Sequence, residues 1–165
     1  CRIVPIGGFA QTVNVLPLII ASDDGRMVLT PQYHVFKMYA SCDANLVLKA
    51  STDSPAYLSQ EIGDYVSFVD VSATLGTKGE CLHIYAVNRH EKESAELDVS
   101  FRGFKPQRAL GECISGTSEE DRNTLDEPNK VMIEKFDARI EEGKLFAFLK
   151  PHSISVITVK GAPSG

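Results

Sequence analysis

The chain has 165 residues, a formal charge of −5 at pH 7, and 43% hydrophobic against 24% charged residues, the balance of an ordinary globular domain with a sizeable core. A net negative charge without a basic stripe argues against a nucleic-acid footprint and against an anionic membrane surface. The longest apolar run, residues 13–21, contains Asn14 and Pro17 and falls far short of the ~20 residues of a membrane-spanning helix.

The chain opens Cys1-Arg2-Ile3-Val4-Pro5, with no initiator Met and no signal peptide, as expected of a cut fragment or a processed product. Residues 1–10 read as a strand broken by the Gly7-Gly8 turn. Ala10, Val13, Leu16 and Ile20 recur at helical spacing, which predicts a short helix that Pro17 ends or kinks. Ser22-Asp23-Asp24-Gly25 is a turn. Thr30-Pro31 is a helix start, with Thr as N-cap and Pro at the first helical position, and Val35, Phe36 and Tyr39 follow on one side. The spacing predicts an amphipathic helix over 31–40.

From there the period changes to two. Alternation at 46–50, 65–73, 81–87 and 95–101, and shorter candidates at 107–114, 130–136, 144–149 and 153–159, predict about eight strands. The strand at 81–87 is apolar on both faces and is expected to be buried on both. Residues 103–106, 115–129 and 141–143 read as connections. The fold expected is mainly β, an antiparallel β-sandwich of jelly-roll type with one or two short N-terminal helices. The four cysteines, at 1, 42, 81 and 113, form no C-x-x-C pair and sit near no His at zinc spacing. They read as reduced core residues in a reducing compartment rather than as disulfides or metal ligands.

The residues alone offer little chemistry. His34, His83, His90 and His152 are isolated in sequence. His34 is expected to be a hydrogen-bonded interface residue, His83 solvent-facing or a satisfied core group, and His152 a turn residue. The acids gather in loops (Glu119-Glu120-Asp121, Asp126-Glu127, Glu141-Glu142), where a charge run is usually a solvated surface. Asp70 alone stands inside an apolar strand, and an edge or capping role suits it better than catalysis. No nucleophile elbow, phosphate loop or His-Glu-x-x-His is present.

Several stretches, in order, give a resemblance. They are Ala10-Gln11-Thr12-Val13-Asn14-Val15-Leu16, Met27-Val28-Leu29-Thr30-Pro31-x-Tyr33-His34-Val35-Phe36-x-Met38-Tyr39, Val69-Asp70-Val71-Ser72-Ala73, Leu82-His83-Ile84-Tyr85-Ala86-Val87-Asn88-Arg89, Asn123-Thr124-x-Asp126-x-Pro128-x-x-Val131, and Pro151-His152-Ser153-Ile154-Ser155-Val156-Ile157. Together they resemble the C-terminal part of the α-L-arabinofuranosidases of glycoside hydrolase family 51. The apolar lead-in, residues 1–9, departs from the charged one usual in that family.

The resemblance implies a (β/α)8 catalytic barrel upstream, followed by this sandwich. Residues 1–40 would be the end of the barrel and a connecting helix, 41–160 the sandwich and 161–165 a disordered tail. The activity implied is retaining hydrolysis of terminal α-L-arabinofuranosyl groups from arabinan, arabinoxylan or oligosaccharides. The two catalytic Glu would lie in the barrel, so no catalytic residue is expected in this chain. The family's sugar-contacting Gln falls on Gln11, whose amide can both donate to and accept from a sugar hydroxyl. No metal and no cofactor is implied. The implied partners are the barrel, an arabinose-containing poly- or oligosaccharide and further copies of the protein, with no nucleic acid and no membrane, in the cytoplasm. An orphaned barrel end would leave residues 1–20 partly disordered or packed on a neighbouring copy. The alternative is a non-catalytic carbohydrate-binding or structural sandwich. Carbohydrate-binding modules use exposed aromatic platforms, and this chain has no Trp.

Overall fold

In the computed structural model, which describes residues 8, 9 and 11–164, the chain begins with a short hairpin of β1 (Ile19–Ala21) and β2 (Met27–Leu29). Helix α1 (Pro31–Ala40) follows as the sequence predicts. Thr30 caps it, its hydroxyl accepting from the Tyr33 N–H at 3.3 Å, and Pro31 occupies a position whose missing N–H costs nothing. Ser41 ends it, its hydroxyl donating to the Lys37 carbonyl at 2.7 Å.

The remaining strands are β3 (Leu46–Leu48), β4 (Ala56–Ser59), β5 (Asp64–Ser67), β6 (Val69–Leu75), β7 (Cys81–Asn88), β8 (Ala95–Ser100), β9 (Phe104–Ser115), β10 (Glu134–Phe136), β11 (Ala138–Glu141), β12 (Lys144–Leu149) and β13 (Ser153–Pro163). They form a six-stranded sheet in the order β10-β9-β13-β7-β6-β3 and a three-stranded sheet β11-β12-β8, all pairs antiparallel. The inner faces of both sheets supply one core. Leu82, Ile84, Ala86, Ile157 and Val159 from the larger sheet meet Leu97, Leu145, Ala147 and Leu149 from the smaller. The outer face of the larger sheet carries α1. Met38 packs there with Ile114, Val131 and Val156, and Tyr39 lies against Tyr85 with ring centroids 4.8 Å apart. Strand β7 is therefore covered on both sides, as its sequence predicts. The half-buried Tyr85 phenol has its pKa pushed up to about 12, chiefly by burial.

Several expectations are corrected. The helix predicted over 10–21 does not form. Gln11, Asn14 and Leu16 have φ of 60°, 65° and 49°, and Val13 pairs with Ile19 in a parallel bridge. The apolar spacing is helical, but Pro17 and the left-handed residues turn the chain back on itself. Residues 11–20 thus form a closed loop and the start of β1 rather than a disordered lead-in. Of the broken strand expected over 1–10, residues 1–7 and 10 lie outside those described.

The single strand expected over 65–73 is two, β5 and β6. The chain turns a corner at Phe68, whose N–H donates to the Pro55 carbonyl at 2.9 Å and whose ring stacks between Tyr57 and His90. Its partner β4 and the strand β11 have no alternating pattern long enough to announce them. Strand β11 joins β12 through Glu142-Gly143, with φ of 50° and 77°, the left-handed pair that suits a two-residue hairpin. Residues 104–106 belong to β9, and 161–163 extend β13 past a bulge between Lys160 and Gly161, so these residues are sheet rather than connection and tail. Cys42, Cys81 and Cys113 are free thiols.

Candidate substrate-contact loop

The loop from Gln11 to Leu18 is built by backbone hydrogen bonds. The Thr12 carbonyl accepts from the N–H groups of both Leu18 and Ile19, at 3.1 and 3.0 Å. The Asn14 N–H donates to the Ile19 carbonyl at 3.0 Å, and the Asn14 side-chain oxygen accepts from the Ala21 N–H at 2.7 Å. Asn tolerates a left-handed backbone; Leu does so at a cost of about 1–2 kcal/mol. Leu16 adopts it while 84% exposed. Strain of this kind persists where surrounding bonds over-determine the loop, and it concentrates at functional sites.

Gln11 is exposed at the start of this loop. Phe9, Val13, Val15, Leu16, Met27 and Phe36, from the segment before α1 and from α1 itself, are all exposed and apolar, with Phe9 set edge-on to Phe36 at 5.6 Å. A run of exposed apolar groups on one end of a domain marks a surface that another unit covers.

Of two buried asparagines, Asn123 ties this end to the sandwich and Asn88 joins loops within the sandwich. The Asn123 amide donates to the carbonyls of Leu29 (2.8 Å) and Val131 (2.9 Å), and its oxygen accepts from the Val131 N–H at 2.7 Å. Asn88 does the same at the end of β7, donating to the carbonyls of Glu93, Leu149 and Lys150 and accepting from the His90 N–H. Neither emerges from periodicity. Asn123 stood out in the sequence only through the resemblance, and Asn88 only as the end of an apolar strand.

The histidines do not gather. His34 is 3% exposed on the inner side of α1 and neither ring nitrogen has a partner among the described residues, in contrast to the expected hydrogen-bonded role. Its pKa is lowered from 6.5, mainly by burial and secondarily by Lys37. His34 and Met38, at helical spacing i, i+4, are the two buried residues of α1. His83 is also buried, its Nδ1 paired with the Thr158 hydroxyl at 3.1 Å, its Nε2 unpaired, and its pKa lowered by burial against the opposing pull of Asp43. His152 is a turn residue with φ of 45°. Asp70 sits on an exposed strand face and pairs with Arg89 at 3.1 Å.

The acidic loop is a structural unit. The Asp121 carboxylate accepts from the Thr117 N–H and hydroxyl and the Ser118 N–H, and meets Lys130 at 2.9 Å. Lys130 first, then Thr117, hold its pKa well below the ordinary carboxylate range. Beside it an open cleft of about 250 Å³ runs between the start of α1 and residues 115–121, floored by Val35, Ile114, Val131 and Ile154 and rimmed by Glu119 and His152. Its floor is apolar, and Asp121 is committed to Lys130.

A family model, α-L-arabinofuranosidase C-terminal domain, matches residues 1–153. The chain belongs to this family. An intracellular exo-α-L-arabinofuranosidase of Bacteroides ovatus is 31% identical over 160 residues, covering 94% of this chain and 30% of that protein. The GH51 arabinofuranosidase of Xanthomonas axonopodis pv. citri superposes with a TM-score of 0.81 at 29% identity, over 92% of this chain and 30% of that one. The α-L-arabinofuranosidase of Thermotoga maritima, solved with arabinose, superposes with a TM-score of 0.82 at 26% identity, over 96% of this chain and 34% of that one. The chain thus spans about a third of the length of these relatives. The family's C-terminal domain accounts for the mainly β architecture and for the order of the sequence motifs.

Proposed function

We propose that this chain is the C-terminal part of an exo-acting α-L-arabinofuranosidase that releases terminal α-L-arabinofuranosyl groups from arabinan, arabinoxylan or derived oligosaccharides inside the cell. The observation that carries this is the family match across residues 1–153, joined to relatives named for that activity and, in one case, for its intracellular location. Residues 1–40 end the catalytic barrel and lead into the sandwich, and 41–160 form the sandwich. The catalytic pair of Glu belongs to the barrel, where retention needs two carboxyl groups ~5–5.5 Å apart.

Within this division of labour Gln11 contacts the sugar, its amide donating to one hydroxyl and accepting from another. Phe9, Val13, Leu16 and Phe36 pack against the barrel; their exposure supports that role. The protein also self-associates. The ribbon β4–β5 forms a separate two-stranded sheet and exposes Leu58, Ile62 and Tyr65 (72%), a surface suited to a contact between copies.

The test uses 4-nitrophenyl α-L-arabinofuranoside. The full-length protein is expected to hydrolyse it and the 165-residue chain to be inert. Turnover by the 165-residue chain, or none by the full-length protein, would overturn the proposal. In the full-length protein Gln11→Ala is expected to raise KM; an unchanged KM and kcat would remove Gln11 from the site.

A further inference from the structure

We propose that Thr30 is a positioning residue for substrate binding, acting on Gln11 through the loop backbone; this rests on the reading of Gln11 as a sugar contact. Thr30 is buried. Its single hydroxyl proton is shared between the carbonyls of Pro17 and Leu18, each 3.0 Å away, while its oxygen accepts the Tyr33 N–H that caps α1. The Thr30 N–H donates to the same Leu18 carbonyl at 3.0 Å. One residue therefore fixes the Pro17–Leu18 peptides from two directions.

Those peptides fix Gln11. The N–H groups of Leu18 and Ile19 both donate to the Thr12 carbonyl, on the residue next to Gln11. A shift of the Pro17–Leu18 unit is carried to Thr12, and from there to the left-handed backbone of Gln11. The exposed Gln11 amide takes its direction from that backbone. The fixed end of the relay is the sandwich, because Asn123, itself buried, holds the carbonyl of Leu29 beside Thr30. The sandwich thus sets the position of a sugar-contacting group from a distance. A loosened loop would present the amide in several orientations, of which one fits the sugar, and the apparent affinity falls with the fraction that is competent.

The experiment is a cycle in the full-length enzyme with Thr30→Val, Thr30→Ser, Gln11→Ala and the Thr30→Val/Gln11→Ala double variant. It measures KM and kcat on 4-nitrophenyl α-L-arabinofuranoside, with thermal melting alongside. Thr30→Val keeps the shape and loses the donor; it is expected to raise KM about tenfold with a smaller change in kcat. Thr30→Ser keeps the donor and is expected to stay within about twofold of the unaltered enzyme. In the Gln11→Ala background Thr30→Val is expected to add no more than about twofold, because the group it positions is gone. A Thr30→Val effect on melting with KM unchanged would overturn the proposal, since it is the mark of a helix cap alone. So would the same KM penalty in both backgrounds. If Thr30→Val does not fold, Thr30→Ala takes its place under the same expectations. No turnover by the unaltered enzyme sinks the functional reading as well. A KM effect of Thr30 independent of Gln11 sinks only the relay.

Discussion

Leu145 and Leu16 are the same side chain in two different situations. Leu145, on β12, is fully buried between the sheets; Leu16, in the loop after Gln11, is almost fully exposed on a left-handed backbone. The sandwich finishes its own core. The loop and its surroundings are ordered by backbone bonds to Thr30 and Asn123, yet leave their apolar groups in water. The difference teaches that this chain contains one region with a closed apolar core and one whose apolar groups stay exposed.

The sharpest way to break the comparison is the same substitution in both places. In the 165-residue chain Leu145→Ala is expected to cost about 2–5 kcal/mol, the transfer loss plus an unfilled cavity. Leu16→Ala is expected to stay within about 0.5 kcal/mol, because the side chain is exposed and the Cβ that strains the backbone is kept. Denaturant unfolding measures both, and comparable costs would erase the distinction between the regions.

Asn123→Ala severs the link between them. It orphans the carbonyls of Leu29 and Val131 and the Val131 N–H, of which the Val131 groups are bonded through fully buried contacts. A loss of about 3 kcal/mol is expected, larger than for a solvent-facing Asn. Gly111 offers a control confined to the sheet. A Cβ there would collide with the Phe136 ring across the β9–β10 pair, so Gly111→Ala is expected to cost about 1–3 kcal/mol without touching the loop.

A smaller effect follows from pH. His34 and His83 have folded pKa values lowered below 6.5 by burial, so the unfolded chain binds protons that the folded chain resists. Stability is unaffected above pH 6.5 and falls as pH drops below it, until the folded values are passed. His34→Leu removes two unpartnered buried nitrogens and is expected to hold or raise the melting temperature and to flatten this acid limb, as melting between pH 5 and 8 would record. A steeper acid limb in the variant would contradict the assignment.

Much of this was legible in the sequence, for reasons that differ by region. Thr30-Pro31 announced α1 because capping is local chemistry, and β7 and β12 announced themselves because alternation reports a buried face. The loop at 11–18 did not, because its apolar spacing is helical while its conformation is set by Thr30, 12 residues or more away. Strand β4 and the corner at Phe68 were hidden because a ribbon outside the sandwich has no buried face to impose a pattern. The position of Gln11 came from the resemblance alone, and no residue pattern leads to Thr30 as the anchor of its loop.

The most direct measurement is amide hydrogen exchange, made on the 165-residue chain and on the full-length protein. Amides of β7 and β13 are expected to be slow in both. Those of residues 11–16 and 18 are expected to exchange more slowly in the full-length protein than in the short chain, because there a second unit covers Val13, Val15 and Leu16. Equal exchange of 11–18 in the two proteins would contradict the claim that this end of the chain is a docking face.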